Sequence, residues 1–140
     1  MTKFEIAELI GKTSRLLRDH LSKSLFASKV EVTAEQWIIL QILRKGSKSQ
    51  KDLSLITLKT KATINSLIFY LLKGGFVTKK KSKTDKRNTE ISITDKGLSA
   101  LKESSQGALE NIEKATFGFS DTEIEELTTY LTRVQNNLLK

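Results

Sequence analysis

A mainly α-helical fold carrying one small antiparallel β-hairpin follows from three features of the 140-residue sequence. Proline is absent, so nothing interrupts long helices. Apolar residues recur at three- and four-residue intervals except between Phe76 and Ile93, where the runs shorten and begin to alternate. Every periodic run after the first opens on Ser or Thr, and several close on Gly, as capped helices do.

The first run, Phe4 to Phe26, places Ile6, Leu9, Ile10, Leu16, Leu17, Leu21 and Leu25 at helical spacing, with a polar slot near Thr13. It predicts one long helix. Thr33 and Gln36 make a capping-box pattern ahead of Trp37, Leu40 and Leu43, and Gly46 stops this second helix, expected over 34–45. Ser49 caps a short third helix carrying Leu53 and Ile56. Thr60 caps a fourth that aligns Ile64, Leu67, Ile68 and Leu71 and ends at Gly74 and Gly75. Residues 76–81 and 89–93 suit strands, and the polar, charged stretch 82–88 between them makes a basic hairpin tip. Thr94 and Asp95 open a helix running through Leu98, Leu101, Ala108, Leu109, Ile112 and Ala115 to about Thr116. Ser120 and Glu123 form a second capping box for the last helix.

No linker or repeat divides the chain, so one continuous domain is expected in three parts: an N-terminal dimerisation helix (1–30), a DNA-binding region (31–95) and C-terminal dimerisation helices (96–140). The end helices are too long and too apolar along one stripe to be covered by a core this small. Ile6 and Ile10, with Ile124, Leu127, Leu131, Val134 and Leu138, would be an exposed apolar patch unless a second copy paired with it. A homodimer is therefore predicted.

Composition removes several classes of function. With no cysteine there is no disulfide framework, thiolate zinc site or thiol redox sensor, and the single histidine, His20, leaves no metal centre to expect. A nucleophile–base set and a phosphate-binding glycine loop are both missing, so no enzyme and no cofactor are expected. No apolar run approaches a membrane span and the start lacks a secretion signal, which predicts a cytoplasmic protein without membrane contact. The net charge of +8 is concentrated. Residues 57–89 hold nine basic residues and one acid, and the remainder holds fifteen of each sign. An excess confined to a quarter of the chain is the footprint of a polyanion such as duplex DNA.

A short helix, a tight turn and a second, capped helix make a helix-turn-helix; with the hairpin behind it the motif is winged. On the fourth helix, the face opposite the apolar one carries Lys61, Ala62, Asn65, Ser66 and Phe69. Asn pairs bidentately with adenine and Ser bonds to either kind of base, so Asn65 and then Ser66 are the expected base readers. Lys61 and Thr63, at the helix start, are expected on phosphates, and Ser49 and Gln50, at the head of the third helix, complete the set. The alternative for Asn65 and Ser66 is an ordinary solvated surface. Lys79, Lys80, Lys81, Lys83, Lys86 and Arg87 cluster on the hairpin, where Arg87, held by Asp85, is expected to enter a minor groove. The bland alternative for that pair is a surface ion pair.

Over residues 33–102 the chain resembles the multiple-antibiotic-resistance regulator (MarR) family of winged-helix proteins. VTAEQWIIL corresponds to the helix after the dimerisation arm, SQKDLS to the first helix of the motif, KATINSLIFYLLKGGFV to the recognition helix and first strand, and DKRNTEISITDKG to the wing and the segment directly after it. Asp-x-Arg, Thr-x-x-Gly and Gly-Phe-Val recur in the family's order and spacing. The resemblance implies an obligate homodimer, an inverted-repeat DNA site, a repressor released by a small molecule, and the wing roles of Arg87 and Asp85. The implied effector cleft lies where the dimer helices meet the winged region, with Arg15, His20 and Trp37 as candidate lining or, alternatively, packing residues. The chain departs from the family at Phe69, Tyr70 and Leu72, where charged residues are usual, and Phe69 is expected to pack against the dimer helices or, alternatively, to stack at the DNA edge. The rival from another class is an architectural DNA-binding protein, or a protein-binding antiregulator of the same fold.

Overall fold

A computed structural model describes residues 1–85 and 87–140. The elements run α1 (Lys3–Ala27), α2 (Ala34–Arg44), α3 (Gln50–Thr57), α4 (Lys61–Lys73), β1 (Val77–Lys81), β2 (Thr89–Ile93), α5 (Asp95–Ala115) and α6 (Asp121–Leu138). The fold is mainly α-helical with one antiparallel hairpin, as expected.

Side-chain caps set the helix starts. Thr33 and Gln36, and Ser120 and Glu123, close reciprocal capping boxes, and the hydroxyls of Ser49, Thr60 and Thr94 each accept one backbone N–H of the turn they open. A third box, between Thr2 and Glu5, starts α1 one residue ahead of Phe4, where apolar spacing alone would begin it. The remaining boundaries shift by a residue or so. β1 begins at Val77 because the Phe76 N–H bonds to the Leu71 carbonyl and the Gly75 N–H to that of Leu72, closing α4. Gly75 permits this closure with φ +78°, a left-handed conformation that a side chain would resist.

The core sits in the middle of the chain. Ile39, Leu40, Leu53, Ile64, Ile68 and Ile91 are fully buried, and Leu25 of α1 and Leu101 of α5 close it from the ends. β1 and β2 pair from Val77↔Ile93 to Lys81↔Thr89. Lys48, just before α3, adds a further rung by exchanging both backbone hydrogen bonds with Ile91, at 3.1 and 2.7 Å. This rung ties the hairpin to the helix-turn-helix. A Cβ on Gly97 would meet the Phe76 carbonyl and Ile93, so the close approach of α5 to the hairpin base requires a glycine at this position.

Outside this core the helices are poorly covered. α6 has no buried residue, and Leu25 is the only one on α1. Ile6, Ile10, Leu127, Leu131, Val134 and Leu138 are exposed and Ile124 is half-buried. No single helix among the described residues is long and apolar enough to cross a membrane.

Candidate nucleic-acid interface

The interface is built on α3 and α4, which meet at 118°. That angle belongs to a helix-turn-helix. The turn between them is held on both sides. Ser54 Oγ donates to the Lys59 carbonyl at 2.6 Å, and Thr57 Oγ1 to the Leu53 carbonyl at 2.7 Å. Leu58 takes the left-handed conformation at φ 59°, which is uncommon for a residue with a branched side chain. Thr60 then caps α4 by accepting the Thr63 N–H, and its hydroxyl also donates to Thr63 Oγ1 at 2.9 Å.

With Ile64, Ile68 and Leu71 turned fully inward, Lys61, Ala62, Thr63, Asn65 and Ser66 stand exposed on the outer face. Ser49 and Gln50 are half-buried, and Ser49 Oγ is engaged as the α3 cap with the Asp52 N–H. One expectation is corrected here. The dimer helices of its own chain do not cover Phe69: it is 58% exposed and meets the Tyr70 ring edge-to-face at 5.2 Å. One residue beyond buried Ile68 rotates a side chain by about 100°, which carries Phe69 off the covered arc. Ile56 likewise faces outward, leaving Leu53 as the buried residue of α3.

The hairpin tip is a network of short polar links. Buried Ser82 accepts the N–H groups of Thr84 and Asp85, at 3.3 and 3.2 Å, and its own N–H bonds to the Asn88 carbonyl. Asp85 takes the Arg87 N–H at 3.0 Å and its Nε at 3.4 Å on one carboxylate oxygen, and Asn88 Nδ2 on the other. The Arg87 side chain is 92% exposed, so the pair adds at most ~1 kcal/mol of stability. Ser82 and Asn88 were not singled out in the sequence, although Ser, Asp and Asn grouped in one turn are a signal for such links. Lys79, Lys80, Lys81 and Lys83 are all exposed. Lys80 stands opposite Glu90 in the ladder, whereas Lys79 and Lys81 oppose uncharged Ile91 and Thr89. Lys86 lies outside the described residues.

A cavity of about 590 Å³ opens between α1, α2, α5 and α6, with mostly apolar walls such as Leu9, Leu17, Ile112 and Leu127. Trp37 lines it and donates from Nε1 to buried Ser104 Oγ at 2.9 Å. Arg15 and His20 do not line it: Arg15 is exposed to solvent, and the His20 backbone carbonyl accepts from Nδ2 of Asn111, a lining residue, at 3.0 Å. The charged residue in the wall is Arg18, missed in the sequence although it shares a helical stripe with Ser14 and Leu21, which also line the cavity.

Comparison with known proteins places this geometry. Residues 31–88 match the family model described as the MarR family. The HTH-type transcriptional repressor IacR of Pseudomonas putida is 24% identical over 111 residues, which are 79% of this chain and 66% of that protein, just under two thirds of its length. A MarR family regulator from Listeria monocytogenes, solved in complex with a 26mer DNA, superimposes with a TM-score of 0.85 at 26% identity over 99% of this chain and 90% of that one. A mutant MarR from E. coli complexed with operator DNA gives a TM-score of 0.82 at 19% identity, with 93% of each chain covered; at that identity the likeness is one of fold.

Proposed function

We propose that the chain is a member of the MarR family, whose model matches residues 31–88, and that it is a homodimeric, sequence-specific DNA-binding transcription regulator, a repressor released by a small molecule and working in the cytoplasm. Members of the family are DNA-binding transcription regulators and not enzymes. The observation that carries the reading is the exposed face of Lys61, Ala62, Asn65 and Ser66 beside a basic hairpin, in the stretch that holds the entire net charge. In this reading α4 lies in a major groove, Asn65 and Ser66 read base edges, and Lys61 and Thr63 hold phosphates near the start of the helix. Arg87, aimed by Asp85, enters the adjacent minor groove, and Lys79, Lys81 and Lys83 neutralise flanking phosphates. Residues 31–95 form the DNA-binding region.

Residues 1–30 and 96–140 join two copies, because the exposed stripes of α1 and α6 need a partner that the chain does not itself supply. The printed role of the Pseudomonas relative supports repression as the sense of regulation. A small, largely apolar effector with an acceptor group suits the cavity, whose walls offer Arg18 as the one charged side chain among the described lining.

The test is selection of a duplex from a random-sequence pool, followed by binding at stated salt. A twofold dimer should enrich an inverted repeat with half-site centres about one helical turn, ~10 bp, apart. Equal affinity for an isolated half-site and the full repeat would argue against the dimer. The exposed Phe69–Tyr70 pair favours a second reading, a protein-binding antiregulator, and enrichment of no duplex at all would support it.

A further inference from the structure

One carboxylate joins three parts of the molecule that are far apart in sequence. Glu35 Oε1 meets Arg18 Nε at 3.0 Å and Glu35 Oε2 meets Lys59 Nζ at 3.3 Å. Arg18 belongs to α1 and lines the large cavity, Glu35 stands in the first turn of α2, and Lys59 is the residue before the Thr60 cap of α4. We propose that Glu35 is a coupling residue that transmits the position of Arg18 in the cavity wall to the turn that sets the recognition helix. The coupling itself needs no DNA, and its regulatory use rests on the DNA-binding reading under Proposed function.

The three groups differ in how firmly they are held. The Glu35 end is fixed, because the Thr33–Gln36 box anchors the first turn of α2 and the positive end of that helix favours a carboxylate there. Arg18 is the loose member, with its side chain 49% exposed against 28% for Glu35 and 24% for Lys59. Because each cation occupies a different carboxylate oxygen, Arg18 does not compete with Lys59 for an acceptor. It pins the carboxylate in the rotamer that presents Oε2 to Lys59. When a group in the cavity draws the guanidinium off Glu35, that rotamer is released and Lys59 is left without a fixed partner. The Lys59 backbone is bound to Ser54 and leads directly into the Thr60 cap, so the disturbance arrives at the first turn of α4. Two independent surface pairs would behave otherwise: each would affect its own neighbours and no more.

Hydrogen exchange on the free full-length protein tests this, read at the amides of Lys59, Thr63 and Ile64, whose acceptors are Thr57 Oγ1, Thr60 Oγ1 and the Thr60 carbonyl. Arg18→Gln should speed exchange there about two- to fivefold, although Arg18 touches none of these residues, while the Ile68 and Val77 amides stay unchanged. Glu35→Gln should do the same, and the double variant should match Glu35→Gln alone. Arg18→Lys, which keeps the charge, should recover most of the protection. An unaltered turn in Arg18→Gln, or additive effects in the double variant, overturns the coupling. Enrichment of no duplex by a protein that shows the coupling would instead sink the DNA-binding reading and leave the relay in place.

Discussion

The winged half and the terminal helices bury their apolar residues to opposite degrees. In the winged half, Ile39, Leu40, Leu53, Ile64, Ile68 and Ile91 are fully buried by neighbours from the same chain. In α6, an equally regular apolar stripe of Leu127, Leu131 and Val134 remains exposed. Helical periodicity shows that a face is meant to be covered. It does not show whether the cover comes from the same chain or another; here the winged half covers its own apolar face and the terminal helices do not.

The largest expected effects separate the halves by their dependence on protein concentration. Ile68→Ala should cost ~2–5 kcal/mol of unfolding free energy at any concentration, because the cavity it leaves is internal. Leu131→Glu should leave the winged half folded by circular dichroism but convert the protein to monomers in sedimentation at micromolar concentration. A Leu131→Glu protein that stays fully dimeric would remove the proposed division.

Within the winged half, wing and recognition helix should differ in kind. Replacing Lys79, Lys80 and Lys81 together by Ala should weaken binding to every duplex and flatten the salt dependence, by about 0.9 in slope for each phosphate left unneutralised. Lys80 should contribute least, since Glu90 opposes it in the ladder. Salt titrations on selected and random duplexes read this directly, and an unchanged slope would mean that the wing does not meet DNA. Asn65→Ala should cost ~1–3 kcal/mol on the selected duplex, relax the choice at one base position in each half-site, and keep the wild-type slope. Equal losses on selected and random DNA would make Asn65 a positioning residue. The smallest effect is expected from Asp85→Ala, under ~1 kcal/mol in affinity, because it removes the aim of Arg87 and not its charge. A loss as large as that of Arg87→Ala would show that Asp85 does more than aim.

These contrasts also mark what the residues alone disclosed. Caps at Thr33, Ser49, Thr60, Thr94 and Ser120 were readable because a hydroxyl meets a backbone N–H two or three positions away, which is local chemistry. The buried arc of α4 and the exposure of Asn65 and Ser66 followed from helical period for the same reason. Phe69 departs from expectation because the average preference of aromatic residues for burial does not hold at a position that the helix turns outward.

Sequence by itself determined the order of the elements, the location of the positive charge and the composition of each helix face, since all three depend on neighbours within a few residues. Only the tertiary structure decided which distant groups meet. The joining of Arg18, Glu35 and Lys59, the contact of Trp37 with Ser104 across 67 positions, and the choice of Arg18 over Arg15 and His20 for the cavity wall depend on how α1, α2 and α5 cross. Crossing is set by packing over whole helix surfaces, where one residue's rotation about the axis separates a lining side chain from a solvated one.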